Sequence, residues 1–105
     1  GTQFGYNNLV ADMRSIPIMQ KFGRPVIFDA THSAQLPGGN GQTTAGMREM
    51  IPTLAKAAVA SGCNGLFMEV HDNIEKAKSD ATTQWPLKKL ETLLIQLKAI
   101  NESLK

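Results

Sequence analysis

Two short apolar runs, each ending in residues that can do chemistry, constrain this chain more than its composition does. Val26-Ile27-Phe28-Asp29 leads into Ala30-Thr31-His32-Ser33, and Gly65-Leu66-Phe67-Met68 ends in Glu69. Continuous apolar runs bounded by turn formers predict strands covered on both faces, the habit of parallel sheets. Residues 47–60 between them have helical spacing, giving the strand, loop, helix and strand order that a parallel pair requires. Polar groups at the carboxyl ends of successive buried strands are the pattern of an α/β barrel rim, and a complete barrel takes about 250 residues. This chain has 105. Two or three parallel strands leave their edges unpaired. Residues 1–105 are therefore expected to be one C-terminal fragment of a single barrel domain, with the N-terminal part missing.

The remaining elements follow from punctuation. Leu9, Val10 and Met13 predict a short helix over Asn8 to Met13. Ser15-Ile16-Pro17 predicts a new helix with Ser15 as its cap and Pro17 in its first turn, stopped by Gly23. Residues 33–46 are rich in Gly, Thr, Gln and Asn without periodicity and predict a long loop of the functional or mobile kind. In the helix from Met47 to Ala60, one face holds Met50, Ile51, Leu54, Ala57 and Ala58. Pro52 is placed to kink it and Gly62 to end it. Asn73 to Ala77 predicts a short helix. Pro86 opens a final helix with Leu87, Leu90, Leu94, Leu97 and Ile100 as its apolar face.

Eleven basic and nine acidic residues give a formal charge of +2, scattered without runs of one sign. This distribution predicts neither a nucleic-acid nor a membrane-surface partner. No apolar run approaches the ~18 residues of a membrane-spanning helix. A lone Cys63 excludes an internal disulfide and fits a reducing cytoplasmic setting.

His32, Glu69 and Asp80 form the leading candidate site. One imidazole and two carboxylates with an open position suit Mn, Fe(II), Co or Zn. The same residues have a plain structural reading: His32 satisfied at a strand end, Glu69 paired with a nearby Lys, Asp80 capping the turn before the last helix. Spacing alone leaves both open. The Gln35 to Thr44 segment could wrap a phosphate with backbone amides or serve as a surface connection. His71 is a candidate partner for Glu69, or a structural histidine. Cys63 reads as a half-buried thiol without a role. Arg14, Arg24 and Arg48 are better read as solvated salt-bridge residues than as phosphate ligands, and Trp85 as packing for the last helix.

Four motifs in order resemble the 3-deoxy-D-manno-octulosonate 8-phosphate synthase family, in its metal-dependent type. They are Gly1-Thr-Gln-Phe-Gly-Tyr-Asn-Asn-Leu-Val-Ala-Asp-Met-Arg14, Phe28-Asp-Ala-Thr-His-Ser-Ala-Gln-Leu-Pro-Gly-Gly39, Gly65-Leu-Phe-Met-Glu-Val-His71 and Lys78-Ser-Asp-Ala-Thr-Thr-Gln-Trp-Pro-Leu87. The resemblance implies the last two strands and flanking helices of a (βα)8 barrel. It implies condensation of phosphoenolpyruvate with arabinose 5-phosphate for lipopolysaccharide biosynthesis, usually in a homotetramer. It further implies metal ligation by His32, Glu69 and Asp80 with an upstream Cys that is not Cys63. Catalytic roles fall on His32 and Asp80, and pentose phosphate contacts on Gln35 and Thr44. Ser79 before Asp80 and Ala81-Thr82 after it differ from the Cys and Gly-Pro of the metal-free type.

Two alternatives accompany this reading. One is the related synthase that uses erythrose 4-phosphate to make a seven-carbon product. The other is a non-catalytic fragment that binds a phosphosugar or metal, or that needs the remainder of its own barrel to act.

Overall fold

The computed structural model describes residues 9–36, 45–76 and 83–105. In chain order these form α1 (Ser15–Gln20), β1 (Ile27–Asp29), β2 (Gln35–Leu36), β3 (Ala45–Gly46), α2 (Ile51–Ala60), β4 (Gly65–Phe67), β5 (Val70–His71), β6 (Trp85–Pro86) and α3 (Leu90–Ser103). Short 3-10 turns lie at His32–Ala34, Arg48–Met50, Ile74–Lys76 and Leu87–Lys89.

The two apolar runs pair as parallel strands, Ile27 opposite Gly65, Phe28 opposite Leu66 and Asp29 opposite Phe67. Helix α2 crosses between them, so the chain is α/β with small parallel sheets. Asn64 fixes where the pair begins: its Oδ1 accepts the Val26 amide at 2.8 Å and the Gln20 side-chain amide at 3.0 Å. A second parallel pair follows directly, Val70 opposite Trp85 and His71 opposite Pro86.

Strand alternation sends Val26, Phe28 and Ala30 toward the helices, where they meet Leu66 and Met68. The core there is completed by Ile16 of α1, by Ile51, Ala55, Ala58 and Val59 of α2, by Trp85, and by Leu93 and Leu97 of α3. The expectation of burial on both faces is corrected. Ile27 is 58% exposed and Phe67 49%, because the described helices cover only the opposite face.

Several local expectations also change. Leu9 to Met13 is not helical, and Val10 makes an isolated bridge. Three apolar residues are too few to offset the cost of helix nucleation. Asp12 instead draws the chain into a turn, accepting the Arg14 amide at 3.0 Å. Ser15 is the first helical residue of α1 rather than its cap, which is Arg14, and makes no side-chain cap bond. Gly23 does end that turn of helix, at φ +79°.

The ends of the 33–46 segment pair as an antiparallel ladder, Gln35 opposite Gly46 and Leu36 opposite Ala45. The Met47 amide donates to the Ala34 carbonyl at 2.8 Å and closes the base. Pro52 sits in the first turn of α2, where a missing amide costs nothing, so it starts the helix rather than kinking it. The buried face of α2 is Ile51, Ala55, Ala58 and Val59, while Met50 lies in the preceding 3-10 turn and is exposed. Gly62 ends the helix at φ +88°. The predicted short helix near Asn73 is a single 3-10 turn closed by the Lys76 amide on the Asn73 carbonyl at 3.0 Å.

The last helix is rotated from its predicted face. Leu93 and Leu97 are buried, with Leu90 and Ile100 packed beside them, and Leu87, Leu94 and Ile95 are exposed. Leucines on both sides of α3 made the stripe ambiguous, and contact with α2 selects one side. Burial of each of Leu93 and Leu97 contributes about 1.5–3 kcal/mol.

Candidate functional site

The site begins with how the chain leaves β1. Asp29, the last residue of the strand, folds its carboxylate back over the next turn. Oδ1 accepts the Thr31 amide at 3.2 Å, the Thr31 hydroxyl at 3.1 Å and the His32 amide at 2.9 Å. An Asp receiving amides two and three residues on is a local turn device. Here it also places an imidazole: Asp29 Oδ2 lies 2.6 Å from His32 Nδ1. The other ring nitrogen, Nε2, lies 3.0 Å from Glu69 Oε1, and the ring stacks on Phe67 with centroids 6.1 Å apart.

Glu69 arrives from the neighbouring strand. Its amide donates to the Thr31 hydroxyl oxygen at 3.2 Å, and its carbonyl accepts the Trp85 amide at 2.8 Å. Its Oε2 receives the Gln84 side-chain amide at 3.3 Å. Among the described residues the partners of Glu69 are His32 and Gln84, and no Lys pairs with it there. Arg48, in the turn before α2, donates from Nε to the Gln84 carbonyl at 2.8 Å and ties that turn to the residue preceding β6.

The electrostatics follow from these contacts. Burial pushes the Asp29 carboxyl up, but hydrogen bonds from the His32 amide and ring and from the Thr31 hydroxyl outweigh it and leave the group below its ordinary value. Burial pushes the Cys63 thiol up, which fits a half-buried thiol without a chemical role.

Of the sequence-predicted site residues, His32 and Glu69 come together. Asp80 and Thr44 lie outside the described residues. Gln35 begins β2 and lines a groove of about 260 Å³ with Ser33, Met47 and Thr53. His71 is not a partner of Glu69. Its Nδ1 accepts the Asn73 amide at 2.8 Å and lies 3.3 Å from Asp72 Oδ1. Among the described residues no three His, Cys, Asp or Glu converge as a metal cluster; His32 and Glu69 offer two donors. Arg14 pairs with Asp12 at 2.8 Å in an exposed bridge, as predicted. Trp85 packs against the last helix, also as predicted. Sequence reasoning passed over Asp29, Thr31 and Gln84, although the Asp-x-Thr-His spacing is a readable turn signal.

Parallel strands joined by a helical crossover, with carboxylate and imidazole at their carboxyl ends, define an α/β protein of the class that builds its sites at strand ends. The chain belongs to the DAHP synthetase I family, whose profile matches residues 1–105. It is 57% identical over 105 residues to the 2-dehydro-3-deoxyphosphooctonate aldolase of Dechloromonas aromatica, covering all of this chain and 38% of that protein. The same-named protein of Legionella pneumophila strain Corby is 59% identical over 102 residues, 97% of this chain and 37% of its own length. The crystal structure of phospho-2-dehydro-3-deoxyheptonate aldolase (DAHP synthase) from Thermotoga maritima superposes with a TM-score of 0.74 at 29% identity, over 90% of this chain and 25% of that one. The chain thus spans just over a third of the length of the curated relatives it matches. Their names agree with the family resemblance read from the four motifs. Among the described residues no helix is long and apolar enough to cross a membrane.

Proposed function

We propose that the complete protein carrying this chain condenses phosphoenolpyruvate with arabinose 5-phosphate to give 3-deoxy-D-manno-octulosonate 8-phosphate and inorganic phosphate. The observation that carries this reading is the meeting of His32 Nε2 and Glu69 at the ends of adjacent parallel strands, with Nδ1 held by Asp29. Identity of 57% to a protein named for the octonate product, against 29% to the heptonate enzyme, favours the longer sugar.

In this reading β1 and β4 are the last two strands of a (βα)8 barrel. The remaining strands would cover Ile27 and Phe67, and a neighbouring helix would cover Leu87, Leu94 and Ile95. Such a protein is expected to work in the cytoplasm as a homotetramer and to serve lipopolysaccharide biosynthesis.

The donor set fits a divalent ion, Mn, Fe(II), Co or Zn, because imidazole and carboxylate meet and the far ring nitrogen faces a carboxylate, the usual support of a ligating histidine. His32 through Nε2 and Glu69 would hold it, with Asp80 and an upstream Cys completing the set. When bound, the ion supplies Lewis acidity or orientation at an open position. With the ion bound, Asp29 would accept the Nδ1 proton in a hydrogen bond and leave Nε2 as the nitrogen that His32 offers to it. Gln35 and Thr44 are read as contacts to the pentose phosphate. Carbon 3 of phosphoenolpyruvate attacks the sugar aldehyde, water adds at carbon 2, and the resulting hemiketal phosphate releases phosphate.

The test is phosphate release from phosphoenolpyruvate by the complete protein with arabinose 5-phosphate or erythrose 4-phosphate. Release that depends on arabinose 5-phosphate is expected. Turnover only with erythrose 4-phosphate sinks the assignment in favour of the seven-carbon synthase.

A further inference from the structure

The β1 and β4 ladder ends where Asp29 faces Phe67, with the Ala30 amide on the Phe67 carbonyl at 3.0 Å. Beyond that point the first strand turns away into the 3-10 segment that holds His32, while the second continues to Glu69. A backbone carbonyl is no longer presented to the Glu69 amide. The Thr31 side chain replaces it: Thr31 is fully buried, and its hydroxyl oxygen takes that amide at 3.2 Å. The same hydroxyl donates to Asp29 Oδ1 at 3.1 Å. A hydroxyl has one proton to give, so giving it to Asp29 aims a lone pair at Glu69.

We infer that Thr31 is a positioning residue, whose hydroxyl joins the Asp29–His32 turn to the Glu69 strand and thereby sets the spacing between His32 Nε2 and the Glu69 carboxylate. The inference rests on the reading of His32 and Glu69 as metal ligands, which the proposed function makes. Thr31 acts through Asp29 and through the Glu69 backbone. Its contacts span 38 residues of sequence, so nothing local to either strand end can substitute for them. Valine at this position matches the shape but leaves the Glu69 amide without its acceptor and Asp29 with one donor fewer, whereas serine keeps both bonds.

The experiment compares the complete wild-type protein with Thr31→Val and Thr31→Ser. Readouts are Co(II) affinity, the visible Co(II) ligand-field spectrum and circular dichroism. Partners that orient metal ligands typically change affinity by about 10–100-fold when mutated. Expected results are a loss of about tenfold or more with an altered spectrum for Thr31→Val, and affinity within about twofold of wild type with an unchanged spectrum for Thr31→Ser. A folded Thr31→Val protein with wild-type affinity and spectrum overturns the inference and leaves the metal reading intact. Loss in Thr31→Ser comparable to that in Thr31→Val also overturns it, because the hydroxyl is then not what matters. Should Thr31→Val fail to fold, Thr31→Ala takes its place, with the same loss expected and wild-type affinity and spectrum again overturning the inference. A wild-type protein that binds no Co(II) overturns the metal reading and this inference with it.

Discussion

His32 follows β1 and His71 is the last residue of β5, and their side chains are almost equally exposed, at 35% and 32%. Their surroundings differ in kind. His71 is occupied by its own neighbourhood, with Nδ1 accepting the amide of Asn73 and facing Asp72. His32 spends one nitrogen on Asp29, three residues away, and turns the other toward Glu69 on a separate strand. Exposure and strand-end position therefore do not distinguish a site histidine from a turn histidine. What distinguishes them is whether the second nitrogen is aimed by the first at a group brought in from far along the chain.

The largest effect that this contrast predicts is His32→Ala. In the complete protein it should remove tightly bound divalent metal and lower turnover by at least about a hundredfold, the scale on which loss of a metal-bound group is felt. Metal analysis of the purified variant together with phosphate release checks it. Retention of both metal and turnover would place His32 beside His71 as a structural residue. Next comes Asp29→Asn, which keeps the shape but gives up the charge behind the ring. Metal affinity should fall by about tenfold, measured by competition with a chromophoric chelator.

A third, smaller effect concerns pH. The Asp29 carboxyl is pushed up by burial yet held on balance below its ordinary value by the His32 and Thr31 hydrogen bonds. A carboxyl with a depressed folded-state value stabilises the fold above its unfolded value of ~3.9 and loses that contribution as pH falls through the lower, folded value. Urea midpoints taken stepwise below about pH 4 should therefore decline more steeply in wild type than in Asp29→Asn. Parallel slopes would mean that the network does not favour the carboxylate. The smallest expected effect is His71→Ala. It should leave metal content unchanged and activity within about threefold, since only a surface turn bond of about 0.5–1.5 kcal/mol is lost. Metal loss in that variant would break the comparison from the other side.

Much of the frame was readable in the residues. The two apolar runs became paired parallel strands, Gly23 and Gly62 ended their helices, and His32 and Glu69 lay where strand-end logic put them. The errors share a cause. Leu9 to Met13 had helical spacing over too short a span, and Asp12 offered the backbone a competing turn. Helix α3 has apolar residues on two sides, so periodicity alone could not choose between Leu94 and Leu93; packing against α2 chose Leu93. His71 was linked to Glu69 by closeness in sequence, but alternate residues around a short strand need not share an environment. Asp29 was visible as the end of a strand, yet its role as the brace of His32 depends on a carboxylate folding back on its own chain.

The sequence by itself determined the order of strands and helices, the parallel connection, and the presence of an imidazole and a carboxylate at successive strand ends. Apolar runs, helical spacing and glycine stops are local, and a chain displays local preferences directly. Only the tertiary structure decided which ring nitrogen of His32 meets which carboxylate, that Thr31 bridges the two strand ends, and which face of α3 is buried. Those outcomes depend on distances of about 3 Å between residues some 38 positions apart, and such distances exist only once the strands have paired and the side chains have been aimed.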